Sequence, residues 1–112
     1  MTIEILATQI ELTPAIRDYV EQKIGSLEKF MEHFEQDHPV KVFVEVARTS
    51  KRHRHGEVYY AEATIPITGK TLRAECSDAD LYAAIDGLKD LLKLEVTKVK
   101  GRQEDRDHQQ TR

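Results

Sequence analysis

The feature that most constrains this chain is a change of hydrophobic period, from helical to alternating and back. Ile16, Val20, Ile24, Leu27, Met31 and Phe34 recur at steps of four, four, three, four and three, which lines one face of a helix of roughly five turns. Leu81, Ile85, Leu88, Leu92, Val96 and Val99 do the same near the other end. Between them the period is two. Val40, Val42, Val44 and Val46 oppose Lys41, Phe43, Glu45 and Ala47, then Tyr59, Ala61, Ala63 and Ile65 oppose Val58, Tyr60, Glu62 and Thr64. Leu72, Ala74 and Cys76 follow against Thr71, Arg73 and Glu75, while Ile3, Ile5 and Ala7 alternate with Thr2, Glu4 and Leu6 at the start. One-sided helices and one-sided strands must cover each other. The order β-α-β-β-β-α therefore predicts an α+β two-layer sandwich, a four-stranded sheet with both helices on one face.

Local chemistry sets the boundaries. Thr13 followed by Pro14 reads as N-cap and first helical residue, because the threonine hydroxyl accepts an orphan N–H and proline has none to lose. Ser77 with Asp80 three residues later resembles a capping box for the second helix. Gly101 reads as its left-handed terminator, so that helix is predicted to end near Lys100. Residues 102–112 hold no aliphatic or aromatic side chain and are expected to be a disordered tail. With 112 residues there is one domain, expected over 1–101, followed by a tail over 102–112.

Most catalytic and metal chemistry is disfavoured by the same residues. Gly69, Lys70 and Thr71 imitate the end of a phosphate-binding loop, but Thr64 stands where its first glycine is required, and a strand follows rather than a helix. Asp78, Asp80 and Asp86 suit the electropositive start of a helix. Cys76 is the only cysteine, which excludes an intrachain disulfide and any CxxC framework, and its place in an alternating strand makes it a small core residue. His53 and His55 flank Arg54, and two imidazoles among cations do not close a metal site. No run of about 18 apolar residues occurs, and the start has no basic leader segment. The expectation is a cytoplasmic non-enzyme with no metal, cofactor, small-molecule substrate or membrane.

Charge is more telling than its total. The formal net charge is −3, yet residues 48–56 hold four basic groups and no acid, and residues 89–112 hold seven basic groups against five acids. Arg48, Lys51, Arg52 and Arg54 crowd into a hairpin loop, where cations suit either a phosphate backbone or simple protection against edge pairing. On the second helix Lys89, Lys93 and Lys100 project at about 80°, 120° and 100° from Leu81, with Tyr82 at about 100°. They form one stripe. Asp18, Glu21, Glu28, Glu32 and Glu35 give the first helix an acidic outer face, unsuited to phosphate.

Three segments then carry a resemblance over about residues 1–100: Glu11-Leu-Thr-Pro-Ala-Ile-Arg17, Leu27-Glu-Lys-Phe30 and Asp80-Leu-Tyr-Ala-Ala-Ile-Asp86. In these and in the order of its elements the chain resembles the ribosome hibernation-promoting factors, also described as ribosome-associated translation inhibitors or subunit-interface proteins. The resemblance implies a fold akin to double-stranded RNA-binding domains. It also implies a site on the small ribosomal subunit and its rRNA, within the 70S ribosome, in the channel that mRNA and tRNA otherwise occupy. Lys89, Lys93, Lys98, Lys100 and Arg102 become candidate rRNA contacts, beside Arg48, Lys51, Arg52 and Arg54. Where family members often carry a basic pair in mid-helix, this chain has Leu91 and Leu94. The expected activity is steric translation inhibition in stress. The alternative is a protein-interaction module that uses the exposed sheet face or edge without RNA.

Overall fold

Alternation of apolar and polar side chains produces four strands, each with one side turned to the core, fully buried in the middle of the sheet and half-buried along the N-terminal edge strand. The computed structural model describes residues 1–32, 34–35, 38–49, 58–67 and 69–110, with no side chains described at 100 and 102–110. Its elements are β1 (Thr2–Thr8), α1 (Pro14–Gly25), α2 (Glu28–Met31), β2 (Lys41–Arg48), β3 (Tyr59–Ile67), β4 (Lys70–Asp78) and α3 (Leu81–Gln110). The sheet order is β1-β2-β3-β4. β1 runs parallel to β2, which requires a crossover, and α1 and α2 supply it. The β2–β3 and β3–β4 pairs are antiparallel. The helices cover one face of this mixed sheet, the α+β arrangement that the two periods predict: α3 lies on β3 and β4, and α1 lies beside α3 and against β1.

The core lies between the layers. Val42, Val44, Val46, Ala61, Ala63, Ile65 and Leu72 from the sheet meet Val20, Ile24, Leu27, Met31, Ile85, Leu88, Leu92 and Val96 from the helices. Burying each large aliphatic side chain contributes about 1.5–3 kcal/mol. Thr13 caps α1 as expected, its hydroxyl accepting from the Ile16 N–H at 3.2 Å.

Three boundaries differ from the sequence reading. The first helix is not one rod of five turns: α1 stops at Gly25, and α2 adds one further turn. Leu27 donates to the Ile24 carbonyl and Phe30 to the Leu27 carbonyl, the tighter i→i−3 pattern, while the Ser26 hydroxyl donates to the Lys23 carbonyl at 2.6 Å. The apolar stripe nevertheless stays buried from Val20 to Phe34. Second, Ser77 is a β4 residue paired with Tyr60, and Asp80 is the cap of α3: its carboxylate accepts from the Tyr82 N–H at 3.1 Å. Third, α3 does not end at Gly101. Its backbone is helical through Gln110, across the stretch expected to be disordered, and Gly101 is not in the left-handed region. A helix already nucleated by its buried turns propagates into this polar stretch, where Arg102, Gln103, Glu104 and Arg106 favour the helix and Gly101, Asp105 and Asp107 do not. The last buried side chain among the described residues is Val99.

One contact fixes how deeply α3 sits. A Cβ placed on Gly87 would lie 2.5 Å from the Cys76 Sγ and 3.5 Å from its Cβ. Gly87→Ala is therefore expected to lower stability, since overpacking typically costs about 1–3 kcal/mol. With Cys76→Ala in the background the sulfur is gone, and the same change should stabilise by up to about 1 kcal/mol through helix propensity. Denaturant unfolding of the four-member cycle tests this. A Gly87→Ala effect independent of residue 76 contradicts the contact.

Candidate nucleic-acid interface

The basic stripe of α3 faces its helical neighbours rather than standing alone. Lys93 Nζ lies 5.0 Å from the centre of the Phe30 ring, and Lys29 Nζ lies 5.2 Å from the same ring. Two turns earlier, Asp86 of α3 accepts a hydrogen bond from the Tyr19 hydroxyl at 2.6 Å and lies 3.6 Å from Lys23 Nζ. Lys23 also stands 5.4 Å from the Tyr19 ring, which meets Tyr82 edge to face at 4.8 Å. Lys89 pairs with Asp90 at 2.7 Å. The result is a band along the seam of α3 with α1 and α2, called the α1–α3 seam below, in which Lys23, Lys89 and Lys93 alternate with Tyr82, Tyr19 and Phe30.

The electrostatics register this convergence. A hydrogen bond from Lys89, then its charge and those of Lys93 and Lys23, holds the Asp90 carboxyl below the usual carboxylate range. The hydrogen bond to Asp86, with burial and the Asp86 charge, pushes the Tyr19 phenol up to about 12. Asp86 and Asp90 partly neutralise the band. Their ion pairs are solvent-exposed, so each contributes little to stability and can open to a competing anion.

Lys89 and Lys93 thus meet on one surface. Arg48 ends β2 opposite Tyr59, on the helix-covered side by strand parity. Tyr59 and Tyr82 line one hollow of about 550 Å³ with Ile10, Ile16 and Leu81, so Arg48 stands at the Tyr82 end of the band. Lys98 does not join the stripe: it projects at about 260° from Leu81 and pairs with Glu95 at 3.7 Å. Leu91 and Leu94 are exposed on that same flank. Lys51, Arg52 and Arg54 lie outside the described residues, and the Lys100 and Arg102 side chains are likewise not described. Glu21 on α1, Glu28 on α2 and Glu32 just after it are all exposed, as the expected acidic face requires.

Tyr19 and Lys23 were not among the residues singled out by sequence, and Lys29 and Phe30 entered only within the Leu27–Phe30 segment that carries the resemblance, not as site residues. Tyr19, Lys23 and Phe30 project at about 260°, 300° and 280° from Val20, on one flank of the buried stripe. That signal is present in the sequence, but which element the flank meets depends on the side where α3 packs. Among the described residues no group of three or more His, Cys, Asp or Glu is placed to hold a metal ion. None of their helices is long and apolar enough to cross a membrane.

Residues 3–104 match the family model described as sigma 54 modulation protein / S30EA ribosomal protein. The chain belongs to that family. Among its relatives is the ribosome hibernation promoting factor of Azotobacter vinelandii, 34% identical over 98% of this chain and 92% of that protein. The ribosome hibernation promotion factor of Bacillus subtilis is 37% identical over 89% of this chain, which spans 49% of its length. The N-terminal domain of Protein Y from Thermus thermophilus superposes with a TM-score of 0.69 at 35% identity, covering 88% of this chain and 99% of that one. A ribosomal subunit interface protein from Coxiella burnetii shares the family fold, with a TM-score of 0.68 at 19% identity over 90% of this chain and 99% of that one.

The seam yields a direct test. Because the folded pKa of Tyr19 is raised above the ordinary value of 10.0, its contribution to stability is fully present below pH 10 and disappears as pH rises through about 12. In Asp86→Asn, a tyrosine-ring NMR titration should show the Tyr19 midpoint returning toward 10.0. An unchanged midpoint means that Asp86 is not the cause.

Proposed function

We propose that this chain is a ribosome hibernation factor that binds the small subunit at the decoding channel and excludes mRNA and tRNA sterically. The observation that carries the reading is the gathering of Lys23, Lys89 and Lys93 with Tyr19, Phe30 and Tyr82 on one helical face of a family member. Relatives named for ribosome hibernation support the biological setting. Lysines supply phosphate contacts whose affinity comes from counterion release, and the aromatic rings offer apolar surfaces on which a ribose or an unstacked base can rest. Little base reading is required. The factor acts by occupancy, without catalysis, in the cytoplasm where ribosomes are found. Residues 1–101 form the binding unit, and the hairpin cations Arg48, Lys51, Arg52 and Arg54 extend the contact surface, with Lys100 and Arg102 continuing it. Lys98, on the opposite flank, meets a separate rRNA element.

Each change among Lys23→Gln, Lys89→Gln and Lys93→Gln should weaken binding to purified small subunits. The log–log salt slope should fall by about 0.7–0.9 for every phosphate that the variant no longer neutralises. The triple variant should fold normally and lose most inhibition of in vitro translation. Replacing Arg48, Lys51, Arg52 and Arg54 with glutamine should act in the same direction. Glu21→Gln, Glu28→Gln and Glu32→Gln together should leave the slope alone. A slope moved by the glutamate set and not by the lysine set reverses the assigned orientation.

A further inference from the structure

The sheet face turned away from the helices carries a second surface of opposite character. Strand register sets Leu6, Glu45, Glu62 and Glu75 in one row across all four strands. The adjacent row reads Glu4, Phe43, Thr64 and Arg73. Leu6 is 62% exposed and Phe43 40% exposed, although each is apolar and central to its strand. Between them lies an open hollow of about 300 Å³ lined by Glu4, Leu6, Phe43, Glu45, Glu62 and Thr64.

Three carboxylates directly opposite one another across β2, β3 and β4 work against sheet stability, because like charges at paired positions repel. The strands tolerate the row through local compensation. Thr8 donates to Glu45 at 2.7 Å, the Tyr60 hydroxyl bonds to Glu62 and lies 3.0 Å from Glu75, and Arg73 pairs with Glu62. The hydrogen bonds from Tyr60 and Arg73 hold the Glu62 carboxyl below the usual range, so it is ionised at neutral pH. This face presents Glu4, Glu45, Glu62 and Glu75 against Lys41, 4.0 Å from Glu4, and Arg73. A phosphate backbone is repelled there. A cation approaching Glu45 or Glu75 finds no protein cation already bound among the described ion pairs.

We propose that the open sheet face is a docking surface for a basic polypeptide segment, with one apolar side chain seated between Leu6 and Phe43 and flanking lysines or arginines on Glu45 and Glu75, while Glu4 and Glu62 add to the negative field around the hollow. Charge complementarity selects this occupant. Glu45 and Glu75, which hold no cation among the described ion pairs, favour a cationic partner, and the exposed leucine and phenylalanine favour an apolar side chain that RNA does not offer. The surface lies on the opposite side of the sheet from the helical band and operates independently of it.

The test uses the ¹⁵N-labelled full chain and the synthetic peptide GKRKLKRKG, with GKRKSKRKG and GEDELEDEG as controls. Amide shifts from the leucine peptide should cluster on Leu6, Phe43, Glu45 and Glu62. The serine peptide should bind at least about fivefold more weakly, and the acidic peptide not at all. Leu6→Asn should erase the preference for leucine. Glu45→Gln, a near-isosteric surface change, should weaken both basic peptides while the amide spectrum elsewhere is preserved. Equal binding of the leucine and serine peptides, shifts confined to the α1–α3 seam, or no shift at millimolar peptide each overturns the proposal. So does an RNA hairpin that perturbs the same sheet residues, or concentration-dependent self-association of the protein through them.

Discussion

The rest of the structure depends on the close seating of α3 over β3 and β4. The sheet positions beneath it are small: Ala61 pairs with Cys76 and Ala63 with Ala74, and Ala84 and Gly87 supply the small residues of the helix. Around Gly87 and Cys76 the helix comes close because both surfaces are small there, and on either side Ile85, Leu88 and Leu92 bury completely against the larger Ile65 and Leu72. That depth sets the height of the outer surface of α3. It brings Asp86 within reach of Tyr19 and Lys93 over Phe30. The lysine band is thus a consequence of core packing, and a helix held farther from the sheet would separate its two halves.

Much of this was legible in the residues. The hydrophobic periods defined the layers, and strand alternation assigned every core valine of β2 to its buried side. The helix ends were less legible because they follow local competition. Ser26 draws on a carbonyl of α1, Ser77 is claimed by the β3–β4 ladder, and Gly101 is carried along by a helix that began twenty residues earlier. Of the candidate site, Lys89 and Lys93 could be placed from projection alone. Their partners Lys23, Tyr19 and Phe30 could not, because a helical wheel gives a direction and not a neighbour. The close contact between Gly87 and Cys76 belongs to the same class. It joins two positions that no sequence spacing relates.

The sheet separates two chemistries. On the helical side, cations interleaved with aromatic rings suit a polyanion with stacked and ribose surfaces. On the open side, a carboxylate row and two exposed apolar side chains suit a cationic polypeptide. The two surfaces lie on opposite sides of the sheet, so the two proposed contacts do not compete for the same residues. The formal net charge of −3 then follows from the segregation and does not argue against RNA binding.

The central claim is that the α1–α3 seam is the RNA-facing surface, and site-specific photocrosslinking tests it most directly. A photoreactive phenylalanine analogue is placed at position 93 of the full chain, and the protein is bound to purified small subunits and irradiated. The account predicts that the crosslinked product is sensitive to ribonuclease and maps to rRNA. A position-93 product that resists ribonuclease and is destroyed by protease treatment of the ribosomal proteins would contradict it.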